Sequence, residues 1–290
     1  MKLFRNLLGA AALLGLLIPG QALAADPIVV KIALTQPASH PTTQLISGLF
    51  KETIEKKTNG KYRIDVFDNY SFGNFEAVVQ GLQFGMLQFA QESPSNLSIY
   101  NPELMVFDLP YLMPDYDAVN LVLDSPTGAR LAKSLEKIGI QGMGWIALGT
   151  RYYWMRKPFT TLEEAKGMKI RATASKVHIA MTKAFGMNPT PMAWSETFTA
   201  LQQGTVAGVD VDIHSAVSAN LHEVAPHLVL SATSIPPICS WLPPSSWTPC
   251  LLKTVRFLKK HSLKSRRSSV VPSTPENRSS SKSCALRAWT

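Results

Sequence analysis

The chain has 290 residues, a formal net charge of +9 and a mean hydropathy of +0.04. An evenly distributed positive charge would indicate a nucleic-acid or membrane-surface binder. Here ten of the 29 basic residues but only one of the 20 acidic residues follow Ser231, so the preceding part has 19 of each and no net charge. We therefore expect no nucleic-acid partner.

The N-terminal residues have the pattern of an export signal. Two basic residues precede an apolar run at 7–18, and Ala22-Leu23-Ala24 is a small-x-small cleavage site. The run is shorter than the ~20 residues that span a bilayer. We predict a signal peptide over residues 1–24, cleaved near Ala24, and a periplasmic mature chain without a membrane anchor.

Strand and helix patterns alternate from residue 28 onward. The first predicted elements are a strand at 28–34, a helix at 41–58, a strand at 63–67, a helix at 76–84 and a short strand at 87–91. A helix at 118–138, interrupted at Pro126-Thr127-Gly128, and a strand at 142–148 follow.

This alternation predicts an α/β protein with mostly parallel sheets. The roughly 200 mature residues up to 231 fit two lobes better than one. We predict one lobe over 25–148 and a second over 149–231, in direct contact, with a cleft between them. Ligands of such sheets lie at the carboxyl ends of strands, which is where Glu92, Arg171 and Asp212 occur.

The stretch from Gly167 to Asp212 contains GMKIRAT and NPTPMAWSETFTALQQGTVAGVD. Its pattern is strand, helix, strand, helix, strand, with Arg171 ending the first strand and Trp194 at a strand-to-helix corner. A guanidinium matches a carboxylate in bidentate geometry and keeps its charge, and an indole supplies an apolar wall. These residues predict a site for a small carboxylate.

The motifs KIRA and PTPMAWSE, followed by ALQQG, resemble the receptors of tripartite ATP-independent periplasmic (TRAP) transporters, the dicarboxylate-receptor (DctP-like) family. The resemblance implies a two-lobed, type II-like periplasmic binding protein, not an enzyme, without cofactor or metal. It would capture a small organic acid and deliver it to the small and large membrane subunits of the permease. It also implies that Arg171 binds the ligand carboxylate.

Four further ligand-binding residues follow from the resemblance. Arg151, in LGTRYYW, would approach other polar groups of the ligand, with a salt bridge between the lobes as the alternative. Glu92 would contact the ligand or a water, and Trp194 would pack on the solute. Asp212 departs from the family pattern of glutamate followed by asparagines. An acid there would repel a second carboxylate, which favours a ligand with one carboxylate and hydroxyls or an aromatic body.

The segment 232–290 differs in composition from the rest. It contains all three cysteines, at 239, 250 and 284, together with many serines and prolines and a single acid, Glu276. No helical or strand period persists in it, so we predict irregular structure. A natural basic tail is one interpretation and a shifted reading frame is another.

The genetic code favours a shifted frame. Read one nucleotide upstream, the codons of 232–243 permit HFYTPYLFLAS and those of 250–261 permit LSPEDRKILEEA. The second string begins as helices do, with a Ser N-cap, Pro at the first position and acids in the first turn. Both strings resemble the closing segment of TRAP receptors. We therefore predict that residues 232–290 are out of frame and impair the receptor.

Two alternative functions remain open. A receptor for an ATP-driven importer would share the two lobes but would lack the PTPMAWSE context. A periplasmic hydrolase or lyase would need a nucleophile or metal, and the sequence before Ala232 has neither a GxSxG elbow nor a Cys/His pair. The pattern starting at His222 has one residue too many for HExxH.

Overall fold

The structure is a computed structural model that describes residues 26–242. The predicted signal peptide and residues 243–290 lie outside the described residues. Ten strands form the framework: β1 (Ile28–Leu34), β2 (Tyr62–Phe67), β3 (Phe89–Glu92), β4 (Gln141–Ala147), β5 (Arg151–Met155), β6 (Lys169–Ala172), β7 (Asn188–Pro191), β8 (Gly208–Asp212), β9 (His227–Val229) and β10 (Pro237–Leu242).

Short helices connect the strands. The α-helices are α1 (Pro41–Leu45), α2 (Lys51–Lys57), α3 (Phe75–Gln83), α4 (Pro94–Leu97), α5 (Tyr116–Leu123), α6 (Pro126–Lys133), α7 (Leu162–Ala165), α8 (Lys176–Ala184), α9 (Thr197–Gln203), α10 (Ile213–Ser218) and α11 (Leu221–Val224). A π-helix (Ile46–Phe50) joins α1 to α2, and 3₁₀-helices cover Pro102–Asp108, Ser134–Ile138 and Trp194–Glu196. No helix within 26–242 is long and apolar enough to cross a membrane.

The strands form two five-stranded sheets, in the orders β2-β1-β3-β10-β4 and β7-β6-β8-β5-β9. Each sheet is the centre of a lobe, which confirms the predicted two-lobed α/β fold. The prediction of mostly parallel sheets is wrong, because both sheets are mixed. In each, two pairings are parallel and the two that involve β10 or β5 are antiparallel. β5 follows the first passage between the lobes and β10 follows the second. Each of them enters its sheet antiparallel to both neighbouring strands.

Each lobe has its own hydrophobic core. Helices cover both faces of the first sheet, with one cluster around Leu82, Leu97 and Phe107 and another around Ile32 and Ile64. The second sheet likewise separates two buried clusters. Each sheet is therefore packed on both of its faces.

Two chain passages connect the lobes and lie side by side. The amide of Leu148 donates to Pro236 O at 2.9 Å, and the amide of Arg151 donates to Ser234 O at 2.8 Å. The amide of Thr233 donates back to Arg151 O at 3.1 Å. These bonds join the outgoing and returning segments into a two-stranded connection.

Regular structure continues beyond the compositional boundary at Ser231. β10 fills the gap between β3 and β4 and pairs with both. Ile238 and Cys239 are buried. The prediction of irregular structure from Ala232 onward is therefore wrong for Pro237–Leu242, because the gap between β3 and β4 offers ladder hydrogen bonds on both sides to whichever residues occupy it.

Candidate functional site

A cavity lies between the lobes, at the carboxyl ends of β1, β3, β6 and β8. Its lining side chains come from both lobes and the returning connection: Thr35, Gln36, Tyr70, Glu92, Ser93, Asn96, Leu148, Arg151, Arg171, Thr173, Trp194, Val211, Asp212, Ser215, Pro236 and Ile238. The cavity volume is about 60 Å³. Cavities between lobes or domains are common sites for small ligands.

All five predicted site residues line this one cavity. Glu92 belongs to the first lobe, and Arg151, Arg171, Trp194 and Asp212 belong to the second. Parallel strands that end at one edge bring distant sequence positions together. Their roles in ligand binding stay predictions.

Arg171 is the residue in the cavity with the least compensated charge. It lies in β6 and its side chain is buried, 5% exposed. Its Nη2 donates to Met192 O at 3.1 Å, its Nε has no hydrogen-bond partner, and no carboxylate of residues 26–242 lies within ion-pair distance. Burial, and then the positive charge of Arg151, lower the pKa of Arg171 to about 10. The guanidinium nevertheless stays charged at neutral pH.

Trp194 lies against this guanidinium. The Cζ of Arg171 is 5.5 Å from the centroid of the indole, within cation–π distance. Trp194 opens the short 3₁₀-helix, whose Glu196 carboxylate accepts from the amide of Ala193 at 3.2 Å and fixes the corner. The indole is half-buried, so it shields one side of the Arg171 charge from water.

Arg151 is compensated, in contrast to Arg171. Its Nε lies 2.9 Å from Oδ2 of Asp210 on the neighbouring strand, and its Nη2 donates to the Asp210 carbonyl. Burial by itself lowers the pKa of Arg151. The negative charge of Asp210 and its hydrogen bond have the larger effect together, so the pKa of Arg151 is raised. The alternative of a salt bridge between lobes is wrong, because both partners lie in the second sheet.

Glu92 ends β3 and is fully enclosed. Its Oε1 accepts from the amide of Ser93 at 2.7 Å, and its Oε2 accepts from the Tyr70 hydroxyl at 3.2 Å. Burial raises the pKa of Glu92 to about 7, against the opposing effect of these hydrogen bonds. Near neutral pH the carboxyl group is therefore populated in both protonation states and can accept or donate.

Asp212 is both the last residue of β8 and the N-cap of α10. Its Oδ1 accepts from the amide of Ser215 at 3.0 Å. Gly149 makes room for it, since a Cβ at that position would lie 2.9 Å from Cβ of Asp212. The carboxylate is buried and held in place, so it presents a fixed negative charge to one side of the cavity.

The sequence interpretation missed several cavity residues. Tyr70 reaches Glu92 because of a turn with positive φ (57°) after β2, which its residue type does not indicate. Gln36 lies two residues after the end of β1, so the strand-end rule that selected Glu92 would have selected it too. Ser215, in the first turn of α10, has no comparable sequence signal. Gln36 Oε1 and Ser215 Oγ are buried without hydrogen-bond partners in the described part of the chain.

The arrangement is suited to binding a small ligand. It combines one uncompensated cation, an aromatic wall, two carboxyl groups and unpaired polar atoms, which together fit a small polar anion. Residues 26–242 contain no group of three or more His, Cys, Asp or Glu side chains placed to hold a metal ion. Tyr153 and Trp154, next to Arg151 in β5, are buried in the second lobe's clusters and lie outside the cavity lining.

Comparisons with known proteins point to one family. A family model, DctP, bacterial extracellular solute-binding protein, family 7, matches residues 32–248. A solute-binding protein of Verminephrobacter eiseniae is 34% identical over 183 residues, which cover 63% of this chain and 55% of the relative. The C4-dicarboxylate-binding periplasmic protein DctP of Rhodobacter capsulatus is 32% identical over 235 residues, which cover 79% and 68% of the two chains.

A solved structure has the same fold. The TRAP periplasmic solute-binding protein of Xanthobacter autotrophicus, with bound β-D-galacturonate, superposes with a TM-score of 0.76 at 30% identity, covering 82% of this chain and 81% of that one. The two lobes are therefore a shared architecture. By its match over residues 32–248, the chain belongs to the DctP family, family 7 of the bacterial extracellular solute-binding proteins.

Proposed function

We propose that the chain is a periplasmic receptor that captures a small organic acid and delivers it to a TRAP-type secondary transporter. One observation carries the proposal: Arg171 is buried at the cleft without a carboxylate partner among the described residues. An unpaired buried charge is costly, so buried arginines are normally paired. The missing partner is the ligand carboxylate.

The other cavity groups favour an acid with one carboxylate and several hydroxyls. Two carboxyl groups, Glu92 and Asp212, would repel a second carboxylate on the ligand. They and Gln36 Oε1 offer acceptors, which ligand hydroxyls can satisfy. The bound galacturonate of the Xanthobacter structure has this chemistry, whereas the name of the Rhodobacter relative specifies a C4-dicarboxylate.

A thermal-shift panel tests the ligand class. Galacturonate and galactose form a matched pair, since they differ in a carboxylate against a hydroxymethyl group, and succinate represents the dicarboxylates. We expect galacturonate to raise the Tm and galactose to leave it unchanged, because binding to the folded state stabilises it. Equal shifts with the two sugars would contradict the role of the carboxylate.

Parallel assays separate receptor from enzyme and one transporter class from another. Stabilisation without product formation favours a receptor, whereas turnover of the acid would favour the hydrolase or lyase alternative. Uptake in cells that carry the TRAP small and large subunits should need this protein. Uptake that depends instead on an ATP-driven permease would support the importer alternative.

We further propose that the segment from Ala232 onward is read in a shifted frame, which impairs the receptor. The position of β10 supports this. Ile238 lines the cavity and Cys239 packs in the first lobe's core. In the upstream frame, the codon at 238 must end in AT and encode Tyr, His, Asn or Asp, and the codon at 239 must encode Leu or Met. The core-facing position then stays apolar and the cavity-facing one gains a hydrogen-bonding group.

The returning connection and β10 thus belong to the binding site, and the upstream frame would change the cavity chemistry at Ile238. Insertion of one nucleotide at the Ser231 codon is the direct test. The restored chain should unfold at a higher temperature and bind the preferred acid more tightly. A restored chain with lower Tm and weaker binding would refute the frame proposal and leave the carboxylate proposal intact.

A further inference from the structure

A second buried polar group joins the two lobes outside the predicted ligand contacts. We call it the Asp108 cluster: Asp108, Ser95, Ser175, His178 and Thr173. Asp108 ends the 3₁₀-helix Pro102–Asp108 and Ser95 lies in α4, both in the first lobe. Ser175 and His178 lie at the start of α8, and Thr173 follows β6, all in the second lobe.

The Asp108 carboxylate accepts one hydroxyl from each lobe. Ser95 Oγ donates to Oδ1 at 2.6 Å, and Ser175 Oγ donates to Oδ2 at 2.6 Å. Both bonds are short and charge-assisted, and Asp108 is fully buried. The two bonds are chemically matched, but only the one from Ser175 crosses between the lobes.

Ser175 makes this contact in place of the usual N-cap hydrogen bond. A serine at the N-cap of a helix usually accepts from a backbone amide of the first turn. Ser175 is the N-cap of α8 but its side chain makes no capping hydrogen bond. Its hydroxyl is directed instead to a carboxylate of the other lobe, so the contact is not a by-product of helix capping.

The cluster also touches the ligand cavity. Thr173 lines the cavity, and its hydroxyl lies 2.7 Å from Nδ1 of His178. Nε2 of His178 lies 3.4 Å from Oδ1 of Asp108, without the geometry of a hydrogen bond. Burial lowers the pKa of His178 well below its usual value, so the ring is neutral. The ring therefore fills the space between the cavity wall and the contact between the lobes.

We call the arrangement in which the lobes enclose the cavity closed, and one in which they separate open. We propose that the Ser175–Asp108 hydrogen bond stabilises the closed arrangement and that Ser175 is a positioning residue for ligand retention. When the lobes separate, water replaces Ser175 at the carboxylate, so the bond favours the closed arrangement over the open one. A charge-assisted bond of this kind shifts such an equilibrium by about tenfold or more. The part that concerns ligand affinity rests on the proposed function; the part that concerns closure does not.

The test compares Ser175→Ala with Ser95→Ala in the full chain. Each removes a hydroxyl at 2.6 Å from the same carboxylate. Calorimetric titration with galacturonate should show affinity about tenfold weaker for Ser175→Ala and unchanged for Ser95→Ala, which instead lowers the Tm alone. Small-angle X-ray scattering of the ligand-free protein should give a larger radius of gyration for Ser175→Ala than for wild type or Ser95→Ala.

Calorimetry and scattering test the ligand class and the closure of the lobes separately. If wild type does not bind galacturonate, the proposed ligand class fails and the scattering measurement decides the present proposal alone. A radius of gyration that is the same for Ser175→Ala and wild type overturns it. Equal losses of affinity in the two serine variants also overturn it, because the bond between lobes would then have no role beyond that of the bond within one lobe.

Discussion

Replacement of Arg171 and Arg151 by methionine, one at a time, separates a ligand-binding arginine from a structural one. Both guanidinium groups are buried at the same cavity, and the chemical change is identical. They differ in one respect: Arg151 is 2.9 Å from the Asp210 carboxylate, whereas Arg171 has no carboxylate at ion-pair distance among residues 26–242. The two variants should therefore differ sharply in ligand-free stability.

The expected magnitudes follow from these contacts. The lowering of the Arg171 pKa from 12.5 to about 10 corresponds to about 3 kcal/mol against the charged form. Arg171→Met removes this cost. It also removes the hydrogen bond to Met192 O, worth about 1.5–2 kcal/mol, and the contact with the indole, worth about 1 kcal/mol. Arg171→Met should thus lie within about 1 kcal/mol of wild type. Arg151→Met leaves the buried Asp210 carboxylate without its cationic partner, which costs about 3–5 kcal/mol.

Urea and thermal unfolding without ligand measure the difference. At about 2–4 °C per kcal/mol for a chain of this size, Arg151→Met should lose at least about 6 °C in Tm, and Arg171→Met should stay within about 4 °C of wild type. Far-UV circular dichroism of each variant controls for the fold. Equal losses in the two variants would refute the reasoning, since Arg171 would then be a structural residue whose charge is compensated in the ligand-free protein.

Three further predictions concern neighbouring residues. Burial raises the pKa of Glu92 to about 7 in the folded protein, from 4.5. Glu92 therefore ionises more readily in the unfolded chain, so the free energy of unfolding decreases as the pH rises from about 4.5 through 7. Urea unfolding should show that wild type loses about 2.5 kcal/mol relative to Glu92→Gln between pH 5 and pH 8, and parallel pH profiles would contradict this. Trp194→Ala should weaken binding of the preferred acid in calorimetry about 2- to 30-fold, because the ligand loses an apolar wall whose burial of roughly 20–80 Å² is worth about 0.5–2 kcal/mol. Trp194→Phe should retain most of the affinity, and an unchanged affinity for Trp194→Ala counts against the aromatic wall. Gly149→Ala places a Cβ 2.9 Å from Cβ of Asp212 and should lower stability by about 1–3 kcal/mol, as measured by calorimetric unfolding, and a wild-type Tm would show that the neighbour yields freely.

Much of the fold could be predicted from local pattern. The strand Ile28–Leu34 is confirmed in full, and the predicted helix at 41–58 is one continuous helical stretch that includes a π-helical turn. The predicted interruption of the helix at 118–138 is also confirmed, since α6 begins at Pro126 with Ser125 as its N-cap. These features depend on periodicity, capping and proline, all of which are local properties of the sequence.

Strand order and side-chain partners could not be predicted in the same way. The rule that ligands lie at strand ends placed Glu92, Arg171 and Asp212 at one cavity, because it needs only the approximate end of each strand. The pairing of Arg151 with Asp210 depends on the register of β5 against β8, which the sequence does not specify. The insertion of β10 between β3 and β4 is a long-range pairing, and composition predicted irregular structure there.

The most direct measurement is calorimetric titration of the acid that gives the largest thermal shift, against wild type and Arg171→Met. Loss of one partner of a desolvated, hydrogen-bonded charge pair costs about 2–5 kcal/mol, so we predict at least a 30-fold weaker Kd for the variant. An equal Kd for the two proteins would contradict the claim that the guanidinium of Arg171 holds the ligand carboxylate.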